Sequence, residues 1–194
     1  MLKPCPSEWF RRWCGLLVLT SALLTGSARA GDAVVDPWIL VDTKARTLSV
    51  FSDKLRVVRF KNIAIGRGGV STQKVRDDGT TPLGTFHIAY IKLNSPYRLF
   101  FGIDYPGTAD ARRALETGRI DLDVYRRIVA AFKKHKLPPQ DTPLGGQLGI
   151  HGLGGADKDI HSKFDWTQGC IALTNNQIET LSQWVYLGMR VEVR

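Results

Sequence analysis

The stretch DWTQGCIALTN, Asp165 to Asn175, sets Cys170 between a glycine and an isoleucine. A cysteine there is either a nucleophile or a small core residue, because free cysteine is among the most buried residue types. The other two cysteines, Cys5 and Cys14, fall in an N-terminal segment with the make-up of a secretory signal. Lys3, Arg11 and Arg12 precede an apolar run from Trp13 to Leu24, and Ala28 and Ala30 supply small residues before Gly31. Twelve apolar residues fall short of the ~18 that a membrane span needs. Residues 1–30 are therefore expected to be a cleaved signal peptide, with an uncleaved anchor as the alternative. The Arg11-Arg12 pair leaves both the general and the twin-arginine export routes open. Export would leave Cys170 alone where cysteines are normally paired and open to oxidation, so a lone thiol there needs a reason.

Charge points the same way. The chain carries 27 Lys and Arg against 18 Asp and Glu, and losing residues 1–30 would leave 23 against 17, a net +6. No lysine- or arginine-rich run suggests nucleic acid, and an exported protein rarely meets it. The basic balance suits anionic envelope material. Residues 31–194 are one domain's length, enough to bury a core.

Outward from the cysteine, the pattern is short strands. WILVD, RTLSVFS and LRVVRFKNIAIG alternate apolar and polar residues and read as antiparallel strands, GTFHIAYIK as a further one, and MRVEVR as the closing strand. Between them, GRGGVSTQKVRDDGTTPLG reads as a long loop. Its glycines resemble a phosphate cradle, but no Lys-Ser/Thr closes it and no helix follows. His87 reads as a sheet residue. The middle turns helical at about 104–140: Leu122, Tyr125, Val129 and Phe132 form an apolar stripe, Asp121 caps it and Pro138-Pro139 block continuation. Its basic face and His135 read as solvated surface, and the insertion as a roof over a groove. NNQIETLSQWVYLG forms a last helix, with Ile178, Leu181 and Val185 inward, Gly188 as its stop, and Thr174 and Gln177 at capping-box spacing. The fold class is mainly β with added helices.

A thiol with pKa ~8.5 is only about 3% thiolate at pH 7, so Cys170 needs a base. His151 is the best candidate, at the end of the apolar run QLGI and before Gly152, where a strand gives way to a loop. His161, among DKDIHSKFD, reads as a residue of a charged loop, solvated or peripheral to the site. Gly169 permits a tight turn whose amides suit an oxyanion, and Gly152 permits close chain approach. The competing use is zinc held by His151, His161 and Cys170, but there is no His-Glu-x-x-His or Cys-x-x-Cys pattern. No metal or cofactor is expected.

The spacing resembles the YkuD-type L,D-transpeptidases, cysteine enzymes of bacterial peptidoglycan. Their pattern is His-Gly, a loop, then Ser/Thr-His-Gly-Cys, an apolar residue, Arg, an apolar residue and a nearby Asn. Here His151-Gly152 is followed by Thr167, Gly169, Cys170, Ile171, Leu173 and Asn175. ILVDTKARTLSVF, IAIGRGG and TTPLGTFHI also look like the family's strands and its Thr-Pro-x-Gly turn, so the resemblance spans most of residues 38 to 194. Gln168 stands where many members have a second histidine, and Ala172 where many have arginine. With the insertion, these departures look like the YafK-like branch, some of whose members hydrolyse peptidoglycan-linked bonds.

The resemblance implies a β-sandwich-like catalytic domain over residues 31–194. It implies Cys170 as nucleophile, forming a thioester with a stem peptide, and His151 as general base. Gly152 would orient the imidazole through its carbonyl. Thr167, Gln168, Gly169 and the Gly169 and Cys170 amides would shape the turn and oxyanion site. It implies transfer to an amine acceptor in the periplasm, with peptidoglycan stem peptides and an envelope protein as partners. The alternatives are hydrolysis of the same bonds, as a carboxypeptidase or an amidase releasing a linked protein, and a cell-wall binding module without turnover.

Overall fold

A computed structural model describes residues 36–194. The expected signal peptide and its cleavage site lie outside the described residues. No helix among the described residues is long and apolar enough to cross a membrane.

The alternating runs form a hairpin meander: β1 (Trp38–Asp42), β2 (Thr47–Ser52) and β3 (Leu55–Lys61), paired antiparallel. Ile39, Val41, Leu48 and Val50 are buried, while β3 is an edge strand with Arg56, Arg59 and Lys61 exposed, which discourages pairing with another chain. After two-residue strands β4 (Val70–Ser71) and β5 (Thr81–Pro82), which pair only with each other, come β6 (Gly84–Ser95), β7 (Arg98–Ile103), β8 (Gly149–His151), β9 (Ile171–Ala172) and β10 (Arg190–Val193). The main sheet has the order β3-β2-β1-β10-β6-β7-β8-β9. It is mixed: β1/β10 and β8/β9 are parallel, and the other pairs antiparallel.

Several sequence readings need correction. LRVVRFKNIAIG is not one strand. Asn62 sits at φ 58 and ends β3, and Ile63 to Gly66 leave β2 to run beside the β9 segment, where Ala64 bridges Ala172 and Gly66 bridges Thr167. An Asn tolerates the left-handed region that a β-branched residue would resist. The buried stripe of α2 (Leu122–Lys133) is Val124 and Ile128, with Leu122 exposed, because the helix packs one position round from the stripe the apolar residues suggest. DKDIHSKFD is not all loop but contains α3 (Lys158–Lys163), capped by the Asp157 carboxylate on the Asp159 and Ile160 amides.

Helices α1 (Thr108–Glu116) and α2 pack against each other. Asp121 caps α2 by accepting from the Val124 amide at 2.8 Å. In α4 (Asn175–Ser182), Thr174 and Gln177 make the reciprocal capping-box bonds and Ile178 and Leu181 are buried, but the helix ends at Ser182, so Val185 and the expected stop, Gly188, lie beyond it. The core runs along the sheet from Val41 and Leu48 through Phe86, Ile88 and Phe101 to Ile150, Ile171 and Leu173. Each fully buried aliphatic side chain contributes about 1.5–3 kcal/mol, so the residues just inside His151 and Cys170 are among the most firmly held.

Candidate active site

Register brings the two candidate residues together. His151 closes β8, between Phe100 of β7 and Ala172 of β9. Because β8 and β9 run parallel with Ile150 opposite Ile171, Cys170 falls opposite Gly149 at the start of β8, on the sheet face that His151 shares two residues further on. Both line one cavity of about 740 Å³.

The turn preceding Cys170 is braced from within and without. Thr167, buried, donates its hydroxyl to the Cys170 carbonyl at 2.7 Å and accepts the Gly169 amide at 3.1 Å. The Thr167 amide donates to the Ile65 carbonyl, and its own carbonyl accepts from the Arg67 amide at 2.8 Å. The Asp165 carboxylate accepts from the Ile65 amide at 3.0 Å and pairs with Arg46 at 3.1 Å. Gly169 has φ 125, and a β-carbon there would stand 2.5 Å from the Thr80 carbonyl oxygen, so only glycine fits. Its N–H is spent on Thr167 and is not free for an oxyanion, contrary to the sequence reading. Gln168 is exposed on the cavity wall. Ala172, where an arginine was the family expectation, is fully buried and exchanges both backbone hydrogen bonds with Ala64.

His151 is only 3% exposed. Its Nδ1 lies 2.7 Å from the Gly152 carbonyl oxygen. A carbonyl only accepts, so Nδ1 carries the proton and Nε2 presents a lone pair. Gly152 is needed for this corner: a β-carbon would meet the Tyr97 carbonyl at 2.7 Å and Ile178 at 2.8 Å. The ring lies among aromatics, with Tyr97 at 4.4 Å, Phe100 stacked at 5.8 Å and Trp166 edge-on at 6.0 Å. Burial holds the His151 pKa below the usual imidazole value, opposed by the Gly152 hydrogen bond and reinforced by His161. Cys170 is half-buried, with Sγ 3.9 Å from the Gln147 carbonyl oxygen. Burial pushes its thiol up to about 11, against the Gly149 backbone and Lys74, which pull it down. Near neutral pH the pair is thus thiol and neutral imidazole.

Of the two readings of His161, the structure fits the peripheral one and not the solvated one. It is 2% exposed, and its Nδ1 accepts from the Trp166 indole at 3.3 Å. It stands behind Trp166 and outside the cavity lining. Among the described residues no group of three His, Cys, Asp or Glu side chains is placed to hold a metal ion, so the His151, His161 and Cys170 set is not assembled. His87 lies away from the cavity on β6, 3.1 Å from Asp104. Helices α1 and α2 contribute nothing to the cavity. The segment after them does, through Gln140, Asp141 and Gly145 to Leu148, so the expected roof is a loop.

Sequence reading missed the cavity's aromatics, Tyr90, Tyr97, Phe100 and Trp166, and also Lys74. Trp166 was within reach, since it adjoins the motif turn. Tyr90 owes its position to Gly102: a β-carbon there would collide with the Tyr90 ring at 2.1 Å. Lys74, in the glycine-rich segment, is 5% exposed, its ammonium 2.7 Å from Asp78. A lysine paired four residues on inside a loop carries no pattern that marks it as buried.

Solved structures with the same fold include Bd1075 of Bdellovibrio bacteriovorus, at 18% identity and a TM-score of 0.54 over 85% of this chain and 50% of that one. The helical cell shape determining protein Pgp2 of Campylobacter jejuni matches at 20% identity and a TM-score of 0.54, over 84% and 52%. The chain thus spans about half the length of these structures. No curated protein sequence matches it. The model of the YkuD family, described as the L,D-transpeptidase catalytic domain, matches residues 36–193. From the pinned glycine–cysteine turn to the outermost strand, this chain belongs to the YkuD family of L,D-transpeptidase catalytic domains.

Proposed function

We propose that the protein is a peptidoglycan L,D-transpeptidase that works through a thioester on Cys170. The observation that carries this is the meeting of β8 and β9, which sets a base-form imidazole and a thiol on one cavity wall, with Nδ1 tied to the Gly152 carbonyl. His151 Nε2 takes the Cys170 proton as Sγ attacks the peptide carbonyl carbon. The carbonyl π-electrons move onto oxygen, and the Cys170 amide is the donor assigned to that oxyanion. Collapse expels the terminal amino acid, whose nitrogen takes the proton from His151. An acceptor amine then attacks the thioester, passing its proton to His151, and the sulfur leaves to recover it. A raised thiol pKa fits this order, because transfer to His151 is coupled to attack and no resting ion pair is required.

Water in place of the amine gives hydrolysis through the same intermediate. Gln168, exposed at the cavity and unable to titrate, favours neither partner by charge, so carboxypeptidase or amidase action is the second reading. The basic chain suits a carboxylate-rich substrate, and the N-terminal segment suits a periplasmic enzyme. Incubation with a peptidoglycan tetrapeptide and intact-mass analysis tests the reading. The expected result is an adduct lighter than the tetrapeptide by the expelled residue plus the thioester condensation, mapped to Cys170 and absent in Cys170→Ala, which keeps its fold. No adduct on protein with Cys170 shown reduced would overturn the assignment. Products formed with and without an added amine separate transfer from hydrolysis.

A further inference from the structure

Lys74 is a buried charge for which the proposed reaction has no stated use. Its side chain is 3% exposed and its ammonium meets Asp78 Oδ1 at 2.7 Å, with the Val75 carbonyl at 3.4 Å. Burying an ammonium is costly unless it is paired, and here the partner is itself fixed. Asp78 also accepts from the Val75 amide and the Thr80 amide, each at 2.8 Å. Burial pushes the Asp78 carboxyl up, but these donors outweigh it and hold the carboxyl below its ordinary value.

The direction of this ion pair matters. Lys74 lines the same cavity as Cys170, while Asp78 does not, so the lysine stands between the site and its carboxylate partner. The Lys74 Cε lies 3.3 Å from where a β-carbon on Gly169 would stand, against the turn that carries the sulfur. Asp78 alone could have been satisfied by the loop's own amides. The pair fixes the ammonium in place and leaves the lysine stem packed against the turn that carries Cys170.

We propose that Lys74, clamped by Asp78 behind the Gly169–Cys170 turn, is the fixed cation against which negative charge on the Cys170 sulfur develops. This rests on Cys170 being the nucleophile. Lys74 is a positioning residue, acting by its field and by its packing on Gly169. Other groups share that field: His151 from β8, Tyr90 from β6, and Arg76, Asp77, Lys92 and Asp141 on the cavity wall. Burial of Cys170 is the main influence on its thiol, and the lysine counters it.

The test reads the thiol itself. Full-length protein and the variants Lys74→Met, Lys74→Arg and Asp78→Asn are alkylated with iodoacetamide across pH, and the Cys170 peptide is quantified after digestion. Thermal melts confirm that each variant is folded. Loss of the cation is expected to move the Cys170 midpoint up by about 1 pH unit, and Lys74→Arg to leave it near wild type. Asp78→Asn, which keeps an acceptor oxygen but removes the counter-charge, is expected to move it down. Opposite signs cannot come from simple loosening of the loop. An unmoved midpoint in Lys74→Met, or shifts of the same sign in Lys74→Met and Asp78→Asn, would overturn the proposal. If Lys74→Met does not fold, an Asp78→Asn midpoint that stays or rises overturns it as well. Alkylation needs no substrate, so a failure here is separate from a failure to form the peptide adduct.

Discussion

The two walls of the cavity are built on different principles. One is sheet: Tyr90, Phe100 and His151 stand on neighbouring strands, with Tyr90 and Phe100 stacked at 5.8 Å and 14°, and Phe100 and His151 at 5.8 Å and 5°. Backbone ladders fix these rings, and glycines leave room for them. The other is loop: residues 72–80 lie against 140–148 with hardly any ladder. The Arg76 amide donates to the Pro143 carbonyl at 2.8 Å and its Nε to the Thr142 carbonyl at 3.0 Å, while Tyr105 joins the two segments. The sheet wall carries the proposed base, His151, and the loop wall carries buried and exposed charge. Catalytic precision is easier to hold on a ladder than on a loop, where each bond is broken singly.

The largest effect is expected from removing the sheet wall's proposed base. His151→Gln is expected to slow acyl-enzyme formation by about 10²–10⁴-fold, measured by quenched-flow mass analysis, with little change in melting temperature. The pH profile sharpens this. Burial lowers the His151 pKa, so the base form persists as pH falls through the ordinary imidazole value near 6.5. The wild-type rate should therefore hold at pH 6.5 and fall only at more acid pH, and this acid limb should vanish in His151→Gln. A wild-type limb centred above 6.5 would contradict the buried-base arrangement.

Next in size is the seam between the walls. Gly169→Ala puts a β-carbon into the Thr80 carbonyl at a φ that alanine resists. Because Thr80 is backbone in the loop and Gly169 adjoins the sulfur, both walls must shift. The expected cost is about 1–3 kcal/mol, read as a lowered denaturant midpoint, together with loss of the adduct. Normal stability with normal adduct formation would show that the turn is not confined as described.

These effects sort much as the sequence did. Alternation of apolar residues revealed β1, β2, β6 and β10, and the histidine–glycine and glycine–cysteine pairs named two residues that the fold brings to one cavity, because register and tight turns leave residue signatures. Asn62 broke a strand that its β-branched surroundings seemed to continue. The solvated reading of His161 fails because Asp157, Lys158 and Asp159 around it are exposed while its own ring turns in toward Trp166. The loop wall was the least legible. Its partners are backbone carbonyls reached over long separations, such as Thr142, 66 residues from Arg76, and a carbonyl has no letter in a sequence.

The smallest effect tests the loop wall at one atom. The Tyr105 hydroxyl, buried, lies 3.2 Å from the Lys74 carbonyl and 3.1 Å from the Leu144 carbonyl, one on each segment. A hydroxyl has a single proton, so the two carbonyls share it. Burial raises the Tyr105 pKa, which keeps the group a donor at any working pH. Tyr105→Phe keeps the ring and its edge-on contact with Phe86 but leaves both carbonyls without that donor. One buried hydrogen bond is worth about 0.5–1.5 kcal/mol, and stranded acceptors add to the loss, so about 1–2 kcal/mol is expected from chemical denaturation. Hydrogen exchange should locate the change, with protection falling at the Arg76 and Gly145 amides that cross or close the loop wall and holding at the β7–β8 ladder. Equal loss on both walls would show that they unfold as one unit, and the division between them would then be geometric rather than energetic.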